Sequence, residues 1–236
     1  MSVAEKSVIS AENAQAIFEN QQRVYDKGYT DGFNSAPPDY LPYVTDIEIQ
    51  DLNLFGKETV ELNLCNILSY TYTILSSVAN TTVKHLIING NPNKPVPKMN
   101  FFMSDKTGSV LKRLTLNFDL SECTEYAYMF NGLGSLEIVD GVVFDFSKLN
   151  NANGTTNMFL GCKALREFRV KPLTLSYNFA ISSLANLSAE TIQSIIDGLA
   201  DLTGQTAQEI QWNSAVLAKL TPAQYAQIQG KNWLAR

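Results

Sequence analysis

Tyr128-Met129-Phe130-Asn131-Gly132, with Leu136 four residues on, is matched 29 residues later by Asn157-Met158-Phe159-Leu160-Gly161-Cys162, with Leu165 at the same offset from its glycine. A repeat with a period of 20 to 50 residues decides the architecture before any single element does, because one repeat cannot bury its apolar face alone. Leu111-x-x-Leu114-x-Leu116 and Leu165-x-x-Phe168-x-Val170 follow one pattern, with Leu136-x-Ile138-Val139 as a looser copy and Val83-x-x-Leu86-x-Ile88 extending it backwards. A second strand signal travels with the first, at Phe118-Asp119-Leu120, Phe144-Asp145-Phe146 and Leu173-Thr174-Leu175.

Short strands whose side chains alternate inward and outward build a continuous core only when copies stack at about 4.8 Å. The spacing therefore predicts a short solenoid. Gly and Asn clusters such as Asn150-Asn151-Ala152-Asn153-Gly154 supply the turns between strands. Ile47-x-Ile49, Leu52-x-Leu54 and Val60-x-Leu62-x-Leu64 read as degenerate first coils.

These residues resemble the BspA-type leucine-rich repeat, in which a Met-Phe-x-Gly-Cys segment precedes each Leu-rich strand. The match covers residues 105 to 180, about a third of the chain, and departs from the pattern at Leu133, where Cys is expected, and in the coil beginning at Phe101. The resemblance implies a non-enzymatic repeat protein that works by binding.

The ends differ in kind. Ser10 caps a helical pattern running to about Lys27, with Ala14, Ile17, Gln21, Val24 and Gly28 at 3-4-3-4 spacing and Phe18 and Tyr25 beside them. Two heptads are marginal in isolation, so this seam needs a partner. Ala14, Ile17, Phe18, Gln21, Val24 and Tyr25 are the candidate attachment or oligomerisation residues. Ser35-Ala36-Pro37-Pro38 ends the segment. A short helix with aromatic-glycine spacing before a BspA-like region resembles the N-terminal segments of virion proteins from bacteriophages of intestinal bacteria.

Towards the C-terminus Ser188 caps a helix with Ile192, Ile195, Ile196 and Leu199 on one face. Ile210-x-Trp212 and Trp233-Leu234 read as short strands, and Thr221-Pro222-Ala223-Gln224 has capping-box spacing. The stretch from Leu187 to Gly204, with Leu217-Ala-Lys-Leu-Thr221 and a late Gly-x-x-Trp, resembles the closing module of phage-encoded leucine-rich repeat proteins. The expected organisation is an N-terminal attachment helix (1–34), a BspA-like solenoid (35–186) and a helical C-terminal cap (187–236). The fold class is α+β, mostly β.

Composition narrows the function. The chain has 236 residues, 17% charged, and 18 Lys and Arg against 23 Asp and Glu, for a net charge of −5; polarity comes largely from 21 Asn with Ser and Thr. No basic run exists, so the counterion-release term behind nucleic-acid binding has no footprint. No apolar run reaches a membrane-spanning length, and Met1 to Ser10 does not read as a secretory signal. Cys65, Cys123 and Cys162 are too dispersed for a disulfide or zinc framework and are expected to be reduced, with Cys162 packing as a small hydrophobe.

Catalytic constellations are thin. His85 is the one histidine and is expected to face solvent from a strand. No Gly-x-Ser-x-Gly turn or phosphate loop is present. Asp119 and Asp145 occupy equivalent repeat positions, where a cation bridge competes with two solvated side chains hydrogen-bonded to nearby turns; the latter is the default, and no metal or cofactor is expected. Tyr70, Tyr72, Tyr126 and Tyr177 are candidate surface-binding residues, because tyrosines on one solenoid face can stack on sugars or anchor an interface. The expectation is a virion structural protein, a tail, baseplate or fibre component assembled in the host cytoplasm. Its expected partners are other virion proteins, copies of itself, and a bacterial surface glycan or protein. A bacterial adhesin or secreted interaction module is the alternative.

Overall fold

The computed structural model describes residues 58–63, 82–90, 95–104 and 109–236. Its first half is organised by returns of the chain. β1 (Thr59–Asn63), β2 (His85–Asn89), β3 (Arg113–Asn117) and β4 (Ile138–Asp140) pair side by side in parallel, in sequence order. Thr59, His85, Arg113 and Ile138 share one register row, and a parallel bridge from Ile138 to Glu167 carries the row one step further. The chain thus comes back to the same rung every 25 to 29 residues, which is the period of the sequence repeat. Leu86, Ile88, Leu114, Leu116 and Val139 point into the core, and their strand neighbours point out.

The Met-Phe pairs make a second column with different backbone geometry. Met129 and Phe130 are consecutive and both buried, as are Met158 and Phe159. A strand would send one of each pair outward; these segments are turns. Each begins on a left-handed residue, Phe101 (φ 59°), Tyr128 (φ 58°) and Asn157 (φ 54°), a conformation unusual for bulky side chains and here imposed by position in the repeat. Adjacent coils are bonded through main-chain amides, Tyr128 N to Thr156 O at 2.9 Å, Phe130 N to Met158 O at 2.9 Å and Gly132 N to Leu160 O at 2.8 Å. The shared glycine has a steric cause: a Cβ on Gly161 (φ +80°) would lie 3.3 Å from the Cα of Gly132 on the next coil.

Between the two columns runs a file of aromatic rings. Phe130 stacks on Phe159 at 5.6 Å, Phe159 on Phe168 at 4.7 Å, and Phe144 meets Tyr126, Phe130, Phe159 and Phe168 edge-on. Each buried ring contributes about 1.5–3 kcal/mol relative to exposure.

Beyond residue 175 the columns exchange character. β5 (Phe179–Ile181), β6 (Gln208–Trp212) and β7 (Trp233–Ala235) form a three-stranded parallel sheet. The crossovers are helical: α1 (Ala189–Gly198) between β5 and β6, then α2 (Ser214–Leu217) and α3 (Pro222–Gly230) before β7. Ser188 Oγ accepts from Thr191 N, and Ile192, Ile195 and Ile196 are buried, as the sequence predicts. Thr221 forms the full reciprocal capping box with Gln224, with Pro222 in the first turn. The expected boundary at 186/187 falls between β5 and α1, so the sheet spans it, and residues 187–236 contribute two strands as well as helices.

Candidate binding surface

The outward side chains of the four-stranded sheet are tied to each other across strands. Thr115 Oγ1 donates to Asp140 Oδ1 at 2.6 Å. Its proton being committed, Thr115 accepts from His85, whose Nε2 lies 2.9 Å away and therefore carries the hydrogen. Arg113 pairs with the other Asp140 oxygen. One rung along, Asn117 Nδ2 donates to Asn89 Oδ1 at 2.7 Å and Asn89 Nδ2 to Glu61 Oε1 at 2.8 Å. Four strands thus present donors and acceptors whose orientations are set by cross-strand partners.

His85 is half-buried in this row rather than freely solvated. Burial lowers its pKa below the usual imidazole value and Arg113 adds to that, with Asp140 opposing. At the leading edge Lys84 pairs with Glu58, Lys112 with Glu137 at 3.0 Å and Arg166 with Glu137 at 3.8 Å. These pairs are solvent-exposed, so each adds at most about 1 kcal/mol, but together they hold the edge side chains in order.

The sheet face ends in a notch. β4 has three residues where β2 and β3 have five. Gly141 (φ +76°) turns the chain tightly past β3; a Cβ there would come within 2.7 Å of the Leu116 carbonyl. The chain rejoins the next coil only at Phe144, whose amide donates to Arg169 O at 2.9 Å. Residues 138–143 and 167–169 therefore line an open depression of about 300 Å³.

The tyrosines expected at the surface divide differently. Tyr126 is fully buried, which corrects its assignment as a surface-binding residue. Its ring packs on Phe144 and Phe146, and its hydroxyl donates to Asp145 O at 2.7 Å. Burial is also the main reason its pKa is raised. It faces inward because the 126–130 segment is a turn rather than a strand, so period-two reasoning does not apply there. Tyr177 is half-buried and packed against the core. Tyr70 and Tyr72, and the seam of Ala14, Ile17, Phe18, Gln21, Val24 and Tyr25, lie outside the described residues.

Asp119 and Asp145 play equivalent parts in turns. Each accepts from the amide two residues on, Ser121 N at 2.8 Å and Ser147 N at 3.0 Å. Asp145 is not solvated as expected: it is 4% exposed and bonded to Lys171 Nζ at 2.6 Å. Burial alone would raise its carboxyl pKa, but the bonds from Lys171 and Ser147 outweigh it and hold the group ionised. No group of three His, Cys, Asp or Glu side chains is arranged for a metal among the described residues. Cys123 and Cys162 are free and buried, and burial pushes their thiols up to about 11 and about 12.

Asp140, Glu167, Arg169 and Thr115, which shape the outer face, were not singled out by sequence. Their signal is the unoccupied half of the period-two pattern: every x in Leu114-x-Leu116 and Phe168-x-Val170 points outward once the apolar positions point in. No helix among the described residues is long and apolar enough to cross a membrane. No family model, curated protein or solved structure matches the chain.

Proposed function

We propose that the chain is a non-enzymatic structural protein of a bacteriophage virion, a tail, baseplate or fibre component, and that residues 35–186 wind as a short leucine-rich-repeat-like solenoid. Its work is attachment to a host surface or to other virion proteins through the outer sheet face. The observation that carries the reading is the cross-strand network of His85, Thr115, Asp140 and Arg113, with Asn89 and Asn117 beside it. Polar side chains held in place above a closed apolar interior suit recognition by many small complementary contacts rather than chemistry at one centre. Resemblance to phage-encoded BspA-like proteins supports the virion assignment. Weak contact at each site gains strength when copies are displayed together on a particle.

The test is mass spectrometry of purified particles from an infected culture. The reading expects peptides of this chain in fixed ratio to a tail or capsid protein. Its presence in infected cells but not in particles overturns the virion assignment. Recovery from the surface or medium of uninfected bacteria favours an adhesin instead.

A further inference from the structure

Three asparagines of the chain are followed by glycine: Asn89-Gly90, Asn131-Gly132 and Asn153-Gly154. The pair has a chemistry of its own. The main-chain nitrogen of the glycine can attack the asparagine side-chain carbonyl, because the residue that carries the nucleophile has no β-carbon to obstruct the approach. We propose that Asn153 is a self-modification site, converted in the folded protein to a mixture of aspartate and isoaspartate, while the coil ladder protects Asn89 and Asn131.

The reaction needs water and nothing else. Gly154 N gives up its proton and bonds to Asn153 Cγ; the Cγ–Nδ2 bond breaks, and ammonia leaves with that proton. The resulting five-membered imide takes up one water at either of its carbonyls. Opening at one restores the original main chain with an aspartate side chain. Opening at the other routes the main chain through the former side chain and lengthens it by one carbon. Either product adds a negative charge to the turn.

The three sites differ in what holds the two reacting groups. Gly90 N donates to Asn117 O at 3.0 Å and Gly132 N to Leu160 O at 2.8 Å, in each case on the next coil. Freeing either nitrogen requires two coils to part. The side chain of Asn89 is also held at both ends, with Nδ2 on Glu61 Oε1 at 2.8 Å and Oδ1 accepting from Asn117 Nδ2 at 2.7 Å. Asn131 is half-buried.

At the third site the amide of Gly154 donates only within its own turn, to Asn151 O at 3.2 Å. Residues 150–153 are all exposed, and among the described residues no hydrogen bond holds the Asn153 side chain. Opening one exposed turn costs far less than separating packed coils. Packing also fixes the glycine in place: a Cβ on Gly154 would lie 2.6 Å from Leu149 Cδ2, and its carbonyl accepts from Tyr126 N at 2.6 Å. The fold thus requires the residue that makes Asn153 reactive.

The experiment follows the full-length protein at neutral pH over weeks, with a parallel sample in urea. Each time point is digested with trypsin at mildly acidic pH, where the reaction is slow. Cleavage leaves the three pairs on separate peptides, residues 85–98, 114–148 and 149–163. In the native sample, peptide 149–163 is expected to gain one mass unit at least about tenfold faster than the other two. In urea that gap closes, because the dipeptide is the same at all three sites. Fragmentation is expected to place the gain on residue 153 and to show isoaspartate, the mark of the cyclic intermediate. A native gain at Asn89 or Asn131 as fast as at Asn153 overturns the proposal, as does a native Asn153 that stays intact while the urea sample reacts. A gap that persists in urea, a gain on Asn150 or Asn151 instead, or aspartate without isoaspartate overturns it equally.

Discussion

The main-chain amide of Ser188 donates to the carbonyl of Arg166 at 2.9 Å, in the position that Arg166 takes on Glu137, Glu137 on Lys112, Lys112 on Lys84 and Lys84 on Glu58. One ladder of amides thus runs from the sheet into the cap of a helix. Thr191 continues the substitution: its Oγ1 donates to Arg166 O at 3.0 Å, a contact that a main-chain amide makes on earlier coils. The C-terminal part is therefore joined to the parallel coils through the same rung and not through a linker.

Lys231 closes the other end of α1. Its ammonium donates to the carbonyls of Ile196 at 2.9 Å, Asp197 at 3.2 Å and Leu199 at 2.9 Å, adding a charged donor at the helix end where Ile196 O otherwise accepts only from the cap amide of Leu199 at 3.3 Å and Asp197 O from Leu173 N at 3.0 Å. Lys231→Met is expected to destabilise the protein by about 1–3 kcal/mol, because it leaves these acceptors without their charged donor. Urea unfolding checks it; a midpoint unchanged from the parent contradicts the capping role.

Tyr126→Phe removes the hydroxyl bonded to Asp145 O and keeps every ring contact. The expected loss is about 1 kcal/mol in denaturant unfolding, with no change in any binding measured for the outer face. An effect on ligand affinity at unchanged stability would return this residue to the surface.

Gly141→Ala places a methyl group within 2.7 Å of the Leu116 carbonyl at a positive φ. The variant is expected to lose about 2 kcal/mol or more, since both the left-handed conformation and the close approach are penalised. Thermal unfolding reads the effect.

Acid acts through two groups in separate windows. His85 has a lowered folded pKa, so the unfolded chain takes up its proton first as pH falls through about 6.5, and stability declines from there until the folded ring is protonated. Asp145 is also lowered; its contribution is whole above about 3.9 and is lost as pH falls through its folded value beneath that. Histidine-ring NMR should show a midpoint below 6.5 for His85. A midpoint at or above that value contradicts the half-buried environment.

Removing residues 1–34 is expected to lower the mass measured by light scattering, because the Ala14-Ile17-Gln21-Val24 seam has too little length to be stable without a partner. A monomeric mass for both the full and the shortened chain rules out self-association through this segment.

Much of the backbone plan is legible in the residues. Leu86-x-Ile88 and Leu114-x-Leu116 are strands because alternation is a local property, and Ser188 and Thr221 are caps because a side-chain oxygen serves amides two or three positions away. Tyr126 departs from its surface expectation for the converse reason: Tyr128 adopts a left-handed conformation and the segment turns, which places Tyr126, Met129 and Phe130 inside together.

The order of amino acids by itself determined the period, the buried apolar rows and the helix starts, since each rests on contacts within a few residues or on a spacing that recurs. Only the tertiary structure decided which polar side chains meet. Thr115 and Asp140 are 25 residues apart, and Asn89 and Asn117 are 28 apart. Their contacts depend on parallel register, which varying coil lengths set and which no local pattern encodes. The notch has the same origin: Gly141 fits against Leu116 O only because β3 lies alongside, and the space left open is the consequence of that packing.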